Sequence, residues 1–402
     1  MTATLSAPTI ADRKRYIREK LKAENHQPVP EKLISFFIST INKESDVLLV
    51  DAGCVIALSL IEQGHNPDKI FVAEDFEGEY KSVTNKMSEV YGFHHIQINV
   101  DKIPTIMKFD YILGNPPFQS EKGGGNIRGS GSSALWFQIV CNSLELLKPG
   151  GELKYITPTP LFSGGDVYRS LFIGVGSKYD VVSVNFDTNE YFPNIGTEMC
   201  HWHVKNTCTS NFLTMVNDNR QVNLKQSHFL TQNNEFDEIV HSLAQVNSNK
   251  FNFDTSNRYD YVPVKNYIKK NNLNVSEKYK TAADDVYKYP VNVNGKIKYS
   301  AVEWKDVGVW RIFLPWIPPK GQAMYQVSNE WSASPSTLTM KFGSEEECVK
   351  AYKILCVDEY RWIVTQTIKN GRVNPVIINL LPIAPINKLL SKDQLNYIQS
   401  QL

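Results

Sequence analysis

Short apolar segments, each closed by an acidic or turn-forming residue, alternate with helical segments through the first half of this chain. The apolar segments lie at 46–51, 69–73, 95–100, 109–113, 151–156 and 181–186. Helical spacing is found at 12–24, 31–41, 80–91 and 135–147. Strands that alternate with helices in this way form a mostly parallel sheet with helices on its faces. The pattern therefore predicts an α/β domain.

Length and charge indicate two domains. A chain of 402 residues, 42% hydrophobic and 21% charged, can bury a large core and is long enough for two or three domains. The net charge is only +1, but residues 1–204 hold 19 Lys and Arg against 24 Asp and Glu, and residues 205–402 hold 24 against 18. We predict domains at 1–204 and 205–402, with any polyanion bound by the basic second one. Chance variation in surface charge is the alternative interpretation.

Several classes of protein are disfavoured by composition. No apolar stretch approaches the ~20 residues that a membrane span needs, and the first residues lack the apolar core of a signal peptide. The six cysteines form no CxxC pair, which argues against a disulfide scaffold and against a zinc module. We therefore expect a cytoplasmic protein.

The segment at 110–118 carries the strongest chemical signal, because an apolar strand runs into Asn115, Pro116, Pro117 and Phe118. The two prolines fix φ and remove two backbone N–H groups, so the turn is stiff. The amide oxygen of Asn115 and the carbonyl of Pro116 are two acceptors suited to an amino group, beside a ring that can stack on a planar base. Two such acceptors favour the pyramidal, nucleophilic nitrogen of a transition state. The alternative is a surface turn that ends a strand and has no catalytic role.

Other motif-like segments surround this one in a definite order. Val29-Pro30 precedes a helix, and Asp51-Ala-Gly53-Cys54 follows the first apolar segment. Glu74 and Asp101 close the next two apolar segments. After the Asn-Pro-Pro-Phe segment come residues 147–158, and then Phe192-Pro-Asn-Ile-Gly-Thr197.

In this order of motifs the chain resembles the class I S-adenosylmethionine-dependent methyltransferases, specifically the adenine-N6 DNA methyltransferases of the gamma arrangement. The resemblance covers roughly residues 27–204 and implies a Rossmann-like fold. It implies catalytic roles for Asn115, Pro116, Pro117 and Phe118. It implies that S-adenosylmethionine is bound by Pro30, Asp51, Gly53, Glu74, Asp101 and Asn115. It also implies that a flipped-out adenine stacks on Phe118 and Phe192, without a metal ion.

The function implied by this resemblance is site-specific methylation of adenine N6 in double-stranded DNA. A C-terminal mixed α+β domain would recognise the target sequence, and a cognate restriction endonuclease is a further partner implied by restriction-modification systems. The segment at 342–382 is similar to recognition regions of restriction-associated adenine methylases, and residues 345–355 have the spacing of a helix. An amphipathic helix packed on a sheet would explain the same segment.

Two alternatives stay open, and one of them rests on a departure from the family pattern. Val55 and Ala57 stand where the family usually has its second and third glycine, which allow the cofactor a close approach to the backbone. A degenerate methyltransferase fold that binds only DNA or a partner protein is therefore one alternative. The other is a methylase of amino groups in RNA or protein, although the large second domain argues against it.

Three weaker features each have a purely structural alternative. The glycine-rich run at 123–132, with Arg128, lacks the features of a phosphate loop and fits a mobile loop near the catalytic motif. His201 and His203 share one face of a predicted strand, and without a third ligand we expect ordinary core or surface histidines. Lysines interleave with tyrosines in the second domain and could contact DNA phosphates. They are Lys265, Lys269, Lys270, Lys278 and Lys280.

Overall fold

The computed structural model divides into two compact units, Met1–Gln232 and Asn233–Leu402. The residues that the structure describes are 8–23, 28–50, 53–74, 78–98, 102–116, 135–163, 170–192, 198–254, 266–267, 269–271, 278–303, 307–318, 323–368 and 373–402. The division into units falls 28 residues after the predicted boundary at 204. The assignment of 1–204 to cofactor binding and of 205–402 to DNA recognition stays a prediction.

The first unit alternates strands and helices, as its apolar pattern predicts. Its helices are α1 (Ile10–Ala23), α2 (Glu31–Ile38), α3 (Cys54–Glu62), α4 (Gly78–Tyr91), α5 (Leu135–Glu145) and α6 (Pro160–Ser163). Its strands are β1 (Val47–Val50), β2 (Ile70–Ala73), β3 (His94–Ile96), β4 (Phe109–Gly114), β5 (Leu147–Pro158), β6 (Asp180–Asn185), β7 (Met199–Lys205), β8 (Thr214–Val216) and β9 (Arg220–Val222).

These nine strands form one sheet in the order β3-β2-β1-β4-β5-β7-β6-β8-β9. The pairs from β3 to β5 are all parallel, whereas β7 runs antiparallel to both β5 and β6. The sheet is therefore mostly parallel, which confirms the predicted fold class.

Apolar cores cover both faces of this sheet. Leu48 and Val50 belong to the cluster on one face, and Val47 and Leu49 to the cluster on the other. Successive side chains of a strand point to opposite faces, so a strand buried on both faces needs an uninterrupted apolar run. This explains why the segment predicted at 46–51 shows no alternation of apolar and polar residues.

The structure corrects several predicted boundaries, including that of the strand predicted at 95–100, which ends at Ile96. The helix predicted at 31–41 ends at Ile38, since Thr40 adopts a φ of 67°, which an α-helix does not accommodate. The helix predicted at 135–147 ends at Glu145, and β5 already begins at Leu147. Gly150, with a φ of 77°, lies inside this strand where the backbone bends, and its N–H donates to the carbonyl oxygen of Asn206.

The second unit contains two small sheets and helices. Its helices are α7 (Asn234–Ala244), α8 (Glu345–Leu355), α9 (Asp358–Gln366), α10 (Pro375–Ile378) and α11 (Lys392–Gln401). Its strands are β10 (Tyr289–Val293), β11 (Lys296–Ser300), β12 (Arg311–Pro315), β13 (Gln326–Ser328), β14 (Ser332–Ala333) and β15 (Thr337–Lys341). They form the sheets β11-β10-β14 and β13-β12-β15, so the predicted mixed α+β composition is confirmed. Helix α8 has the predicted bounds.

Buried polar side chains tie α2 to the sheet. The Nζ atom of Lys154, on β5, donates to the carbonyl oxygens of Phe36 at 3.1 Å and Ser39 at 2.7 Å. These carbonyls at the end of α2 lack partners within the helix, and a cation is favoured there. Lys154 is only 2% exposed, and burial lowers the pKa of its ammonium to about 8. On the neighbouring β7, the His201 ring packs edge-on against Phe36, with centroids 4.7 Å apart.

Across the described residues, none of the helices combines the length and the apolarity that crossing a membrane would require.

The environment of His201 predicts a loss of stability in acid. Burial lowers the pKa of this imidazole from 6.5 to about 4, against the opposing charges of Asp218 and Asp187. Between these values the unfolded chain binds more protons than the folded chain, so the free energy of unfolding falls as the pH drops from 6.5 to 4. Over this pH range the free energy of unfolding of the parent should fall by roughly 2–3 kcal/mol more than that of His201→Gln, because only the parent has this imidazole, whose pKa changes on folding. Urea unfolding at pH 7, 5.5 and 4.5 measures the difference, and parallel curves for the two proteins would contradict it.

Candidate functional site

The carboxyl ends of three adjacent strands lie level with one another at one edge of the sheet. Val50 of β1 pairs with Ala73 of β2 on one side and with Gly114 of β4 on the other. The next residues along β2 and β4 are Glu74 and Asn115. With strands ~4.8 Å apart, their backbones lie roughly 10 Å from each other. Ligands of open α/β sheets bind outside this edge.

Asn115 follows β4 directly, and both it and Pro116 are buried. The asparagine is 6% exposed. The predicted acceptor pair therefore lies against the protein interior, where a hydrogen bond is stronger than in water and leaving a polar group unpaired is costly. A planar amino group that reached this position would exchange its hydrogen bonds to water for hydrogen bonds to these two acceptors.

Gly114 is a further site residue, for which the sequence predicted no role. A Cβ atom placed on Gly114 would lie 2.3 Å from the backbone oxygen of Val50. The close approach of β1 and β4, just before Asn115, therefore requires a glycine. A glycine that ends an otherwise apolar strand is the sequence signal that indicates such an approach.

Glu74 follows β2 and is 3% exposed. Its backbone N–H donates to the carbonyl oxygen of Ile96 on β3, at 3.2 Å. Neither carboxylate oxygen has a hydrogen bond within the described part of the chain, although Nε2 of His95 lies 3.3 Å from Oε1. Burial, and then the negative charge of Glu74, raise the pKa of the nearby Cys54 thiol well above its usual range. The motifs after β1 and β2 therefore lie side by side.

This carboxylate fits the cofactor that the sequence predicts. Buried acceptors without donors are costly, and the two vicinal hydroxyls of a ribose are two donors for two carboxylate oxygens. Such hydrogen bonds are charge-assisted and shorter than neutral ones. Glu74 is therefore the described residue best suited to hold the ribose of S-adenosylmethionine.

Gly53 precedes α3 and packs tightly against the sheet. A Cβ atom on Gly53 would lie 2.6 Å from Cβ of Leu49 and 3.3 Å from Cγ1 of Val72. The glycine is thus required by the packing of the helix start on β1 and β2, whatever its contact with the cofactor. Val55 and Ala57 stand at the positions of the missing glycines. They are fully buried in the apolar cluster that also contains Leu49 and Val72.

Two further predicted residues border this cluster. Pro30 is the N-cap of α2, with φ −59° and ψ 141°, and its neighbour Val29 is buried in the cluster together with α3 and Leu113. Phe192 ends the short 3-10 helix Asp187–Tyr191 and is 4% exposed, with its ring in the cluster as well. The role of Phe192 in stacking on a base stays a prediction.

Several predicted site residues lie outside the described residues. They are Asp51, Asp101, Pro117 and Phe118, together with the glycine-rich run at 123–132, Arg128, and 193–197.

The two histidines of β7 have separate partners. Nδ1 of His201 lies 2.8 Å from Oγ1 of Thr188, and Nε2 of His203 lies 2.9 Å from Oε2 of Glu152. Within the described ranges, no group of three or more His, Cys, Asp or Glu side chains is placed to hold a metal ion.

The predicted phosphate-binding lysines differ in their surroundings. Lys269 and Lys270 are exposed, whereas Nζ of Lys280 lies 2.6 Å from Oδ2 of Asp284 and 4.6 Å from the ring centroid of Tyr287. The hydrogen bond from Lys280 lowers the pKa of Asp284 to about 2. Lys265 lies outside the described residues.

Residues 52–192 match the sequence profile of the Eco57I restriction-modification methylase family. A stretch of 122 residues is 28% identical to an uncharacterized adenine-specific methylase of Mycoplasma pneumoniae and covers 28% of each chain. The chain thus spans little more than a quarter of the length of that relative.

Two solved structures are similar over about half of the chain. The M protein of the type I restriction enzyme EcoKI is 13% identical, covers 47% of both chains and has a TM-score of 0.36. The methyltransferase subunit of a type I restriction-modification system from Streptococcus thermophilus is 16% identical, covers 51% of this chain and 49% of its own, and has a TM-score of 0.35.

The first unit has the class I methyltransferase fold, with a mostly parallel central sheet between helices. The match of residues 52–192 implies S-adenosylmethionine as the cofactor.

The close approach at Gly114 predicts a variant that damages both the sheet and the site. In Gly114→Ala the new methyl group would meet a backbone oxygen that cannot move without separating β1 from β4. We expect a loss of ~1–3 kcal/mol in the free energy of unfolding, as for other overpacked positions, and a loss of methyl transfer from displacement of Asn115. Gly176→Ala is the matched control, since a Cβ atom there meets nothing within 4 Å. Urea unfolding and a methyl-transfer assay test both, and equal behaviour of the two variants would refute the constraint.

Proposed function

We propose that the chain is a site-specific DNA methyltransferase that transfers a methyl group from S-adenosylmethionine to N6 of an adenine. This proposal rests mainly on the register of β2, β1 and β4, in which Ala73, Val50 and Gly114 are paired across the sheet. Because of this register, the next residues, Glu74 and Asn115, lie at the same edge of the sheet. Glu74 is suited to bind a ribose, and Asn115 is suited to bind an amino group. The match of residues 52–192 to restriction-modification methylases supports the same function.

Asn115 and Pro116 would act on the amino group of the target base. The adenine amine is a poor nucleophile because its lone pair is delocalised into the ring. Asn115 Oδ1 and the Pro116 carbonyl would each accept one hydrogen and so favour the pyramidal nitrogen of the transition state over the planar one of the substrate. The rigid Pro116-Pro117 turn would hold these acceptors in place, and the Phe118 ring would stack on the base.

S-adenosylmethionine would supply a methyl group whose bond to a positively charged sulfur breaks as the amine nitrogen bonds to its carbon, with release of S-adenosylhomocysteine and of one amine proton. Glu74 would bind the ribose hydroxyls, while Asp51, Gly53, Asp101 and Pro30 would surround the remainder of the cofactor. Because no covalent intermediate is needed, positioning of the two reactants would provide most of the acceleration.

The adenine of a duplex must leave the base stack before it can reach Asn115. We propose that the second unit provides the DNA-recognition surface. Asn233–Leu402 holds 21 Lys and Arg against 17 Asp and Glu, and Lys269 and Lys270 are exposed there. A stacking role for Phe192, a cognate restriction endonuclease and a cytoplasmic location belong to the same proposal.

The two alternatives make different predictions for one experiment. The purified chain is incubated with methyl-labelled S-adenosylmethionine and with double-stranded DNA, total RNA or protein, and the labelled product is identified by mass spectrometry. The proposal requires N6-methyladenine in DNA. Label in RNA or protein would favour the amino-group methylase. Absence of label, combined with intact DNA binding, would favour the degenerate protein.

Asn115→Ala should lower the rate of methyl transfer far more than it weakens the cofactor, for which Asn115 is one of six proposed ligands, and should leave DNA binding largely intact. The deleted acceptor acts mainly in the transition state, where comparable groups contribute ~3–4 kcal/mol, or a factor of about 10²–10³ in rate. Single-turnover methylation measures the rate, and calorimetry measures cofactor affinity. A variant that methylates within tenfold of the parent would remove Asn115 from the role proposed for it.

Neutralising exposed lysines of the second unit should weaken DNA binding regardless of sequence. The double variant Lys269→Gln/Lys270→Gln should lower affinity and flatten its dependence on salt by about one unit of slope for each phosphate that the variant no longer binds. Lys388→Gln/Lys392→Gln is the matched control, because these lysines are exposed in the same unit, carry the same charge and lie outside the segment at 342–382. Affinity is measured by fluorescence anisotropy from about 50 to about 300 mM salt, a range over which screening changes strongly. If both double variants keep the parental slope, these lysines belong to a solvated face and DNA is bound elsewhere.

A further inference from the structure

Glu74 is a buried carboxylate with unusual surroundings. Its side chain is 1% exposed, and neither Oε1 nor Oε2 has a hydrogen bond in the described part of the chain. A buried anion is costly unless a positive or donating group compensates it. Among the described residues, the imidazole of His95 lies beside this carboxylate. It is 5% exposed, and its Nε2 is 3.3 Å from Oε1.

The second nitrogen of the His95 ring shows where the hydrogens lie. Nδ1 is 2.5 Å from Oδ1 of Asn85, on α4. An amide oxygen only accepts hydrogen bonds, so Nδ1 carries a hydrogen. Asn85 thereby fixes the orientation of the ring, with Nε2 directed at Oε1 of Glu74.

We propose that His95 is a positioning residue for Glu74. It packs against the buried carboxylate and fixes its rotamer, so that both oxygens are oriented to accept hydrogens from a ribose. This inference rests on the proposed function, namely that S-adenosylmethionine is bound at this edge of the sheet.

The geometry of the pair supports this division of roles. Nε2 lies 3.3 Å from Oε1 but outside hydrogen-bond geometry, so the lone pairs of both carboxylate oxygens remain available. His95 pairs with Val72 across β2 and β3, and Glu74 N–H donates to the carbonyl oxygen of Ile96. The same two strands thus hold acid and imidazole in register. Outer partners that orient a liganding group commonly matter almost as much as the group itself.

A pair of ligands separates this role from a purely structural one. S-adenosylhomocysteine carries both ribose hydroxyls, and its 2′,3′-dideoxy analogue carries neither. If His95 acts through Glu74, His95→Phe should lower the affinity for S-adenosylhomocysteine about tenfold and leave the affinity for the dideoxy analogue unchanged. His95→Gln, whose amide nitrogen can take the place of Nε2, should restore binding of S-adenosylhomocysteine to within about threefold of the parent. Calorimetry measures all affinities.

His94→Phe is the matched control, because His94 is the adjacent residue of the same strand. Its ring stacks on Phe71, with centroids 4.8 Å apart, and it lies on the other face of β3. This variant should bind both ligands as the parent does. Asn85→Leu is a second route to the same test if His95→Phe does not fold. It removes the acceptor that orients the ring and should also weaken only the ligand with hydroxyls.

The outcomes distinguish failure of the inference from failure of the proposed function. A parent that binds neither ligand, or a Glu74→Gln variant with unchanged affinity for S-adenosylhomocysteine, would refute the cofactor site itself. If Glu74→Gln loses affinity for S-adenosylhomocysteine while the His95 and Asn85 variants keep it, the positioning role is wrong and the site stands. Equal losses for both ligands in His95→Phe and Asn85→Leu would mean that His95 only supports the fold.

Discussion

The in-register parallel pairing of β2, β1 and β4 is the constraint on which the candidate site depends. It brings Ala73, Val50 and Gly114 into one row, so that the residues after them emerge at the same level. Segments far apart in sequence thereby meet at one edge of the sheet. The row tolerates no side chain at Gly114, where a Cβ atom would lie 2.3 Å from the Val50 oxygen. Because backbone atoms form this close approach, repacking of side chains cannot relieve it.

Buried charges in the first unit are placed where the fold supplies partners for them. The ammonium of Lys154 binds carbonyl oxygens at the end of α2, which have no partner within the helix. The carboxylate of Glu74 faces His95, and Asp180 lies 3.5 Å from Lys225. Breaking a buried pair leaves an uncompensated charge, which costs more than the pair contributes. Such groups therefore specify how helices and strands dock.

The second unit shows what the sequence pattern could not resolve. Its β10–β11 turn places Asn294 and Gly295 at φ 51° and 83°, the conformation of a tight hairpin, and Asn-Gly is a strong local signal for it. A similar turn joins β8 to β9 in the first unit, with Asn217 and Asp218 at positive φ. Local turn chemistry predicts such hairpins, but the order β11-β10-β14, in which a distant strand pairs in parallel with β10, depends on contacts far apart in sequence.

The sequence by itself determined the α/β alternation, because the length and periodicity of apolar segments reflect burial directly. It predicted the Asn115-Pro116 acceptor pair, because proline restricts the backbone locally. It also marked Glu74 as the acid that ends β2. Only the tertiary structure decided that Gly53 and Gly114 are required by strand and helix packing, and that His95 faces Glu74. Those facts depend on distances between atoms of different strands and helices, and no local pattern of residues encodes such distances.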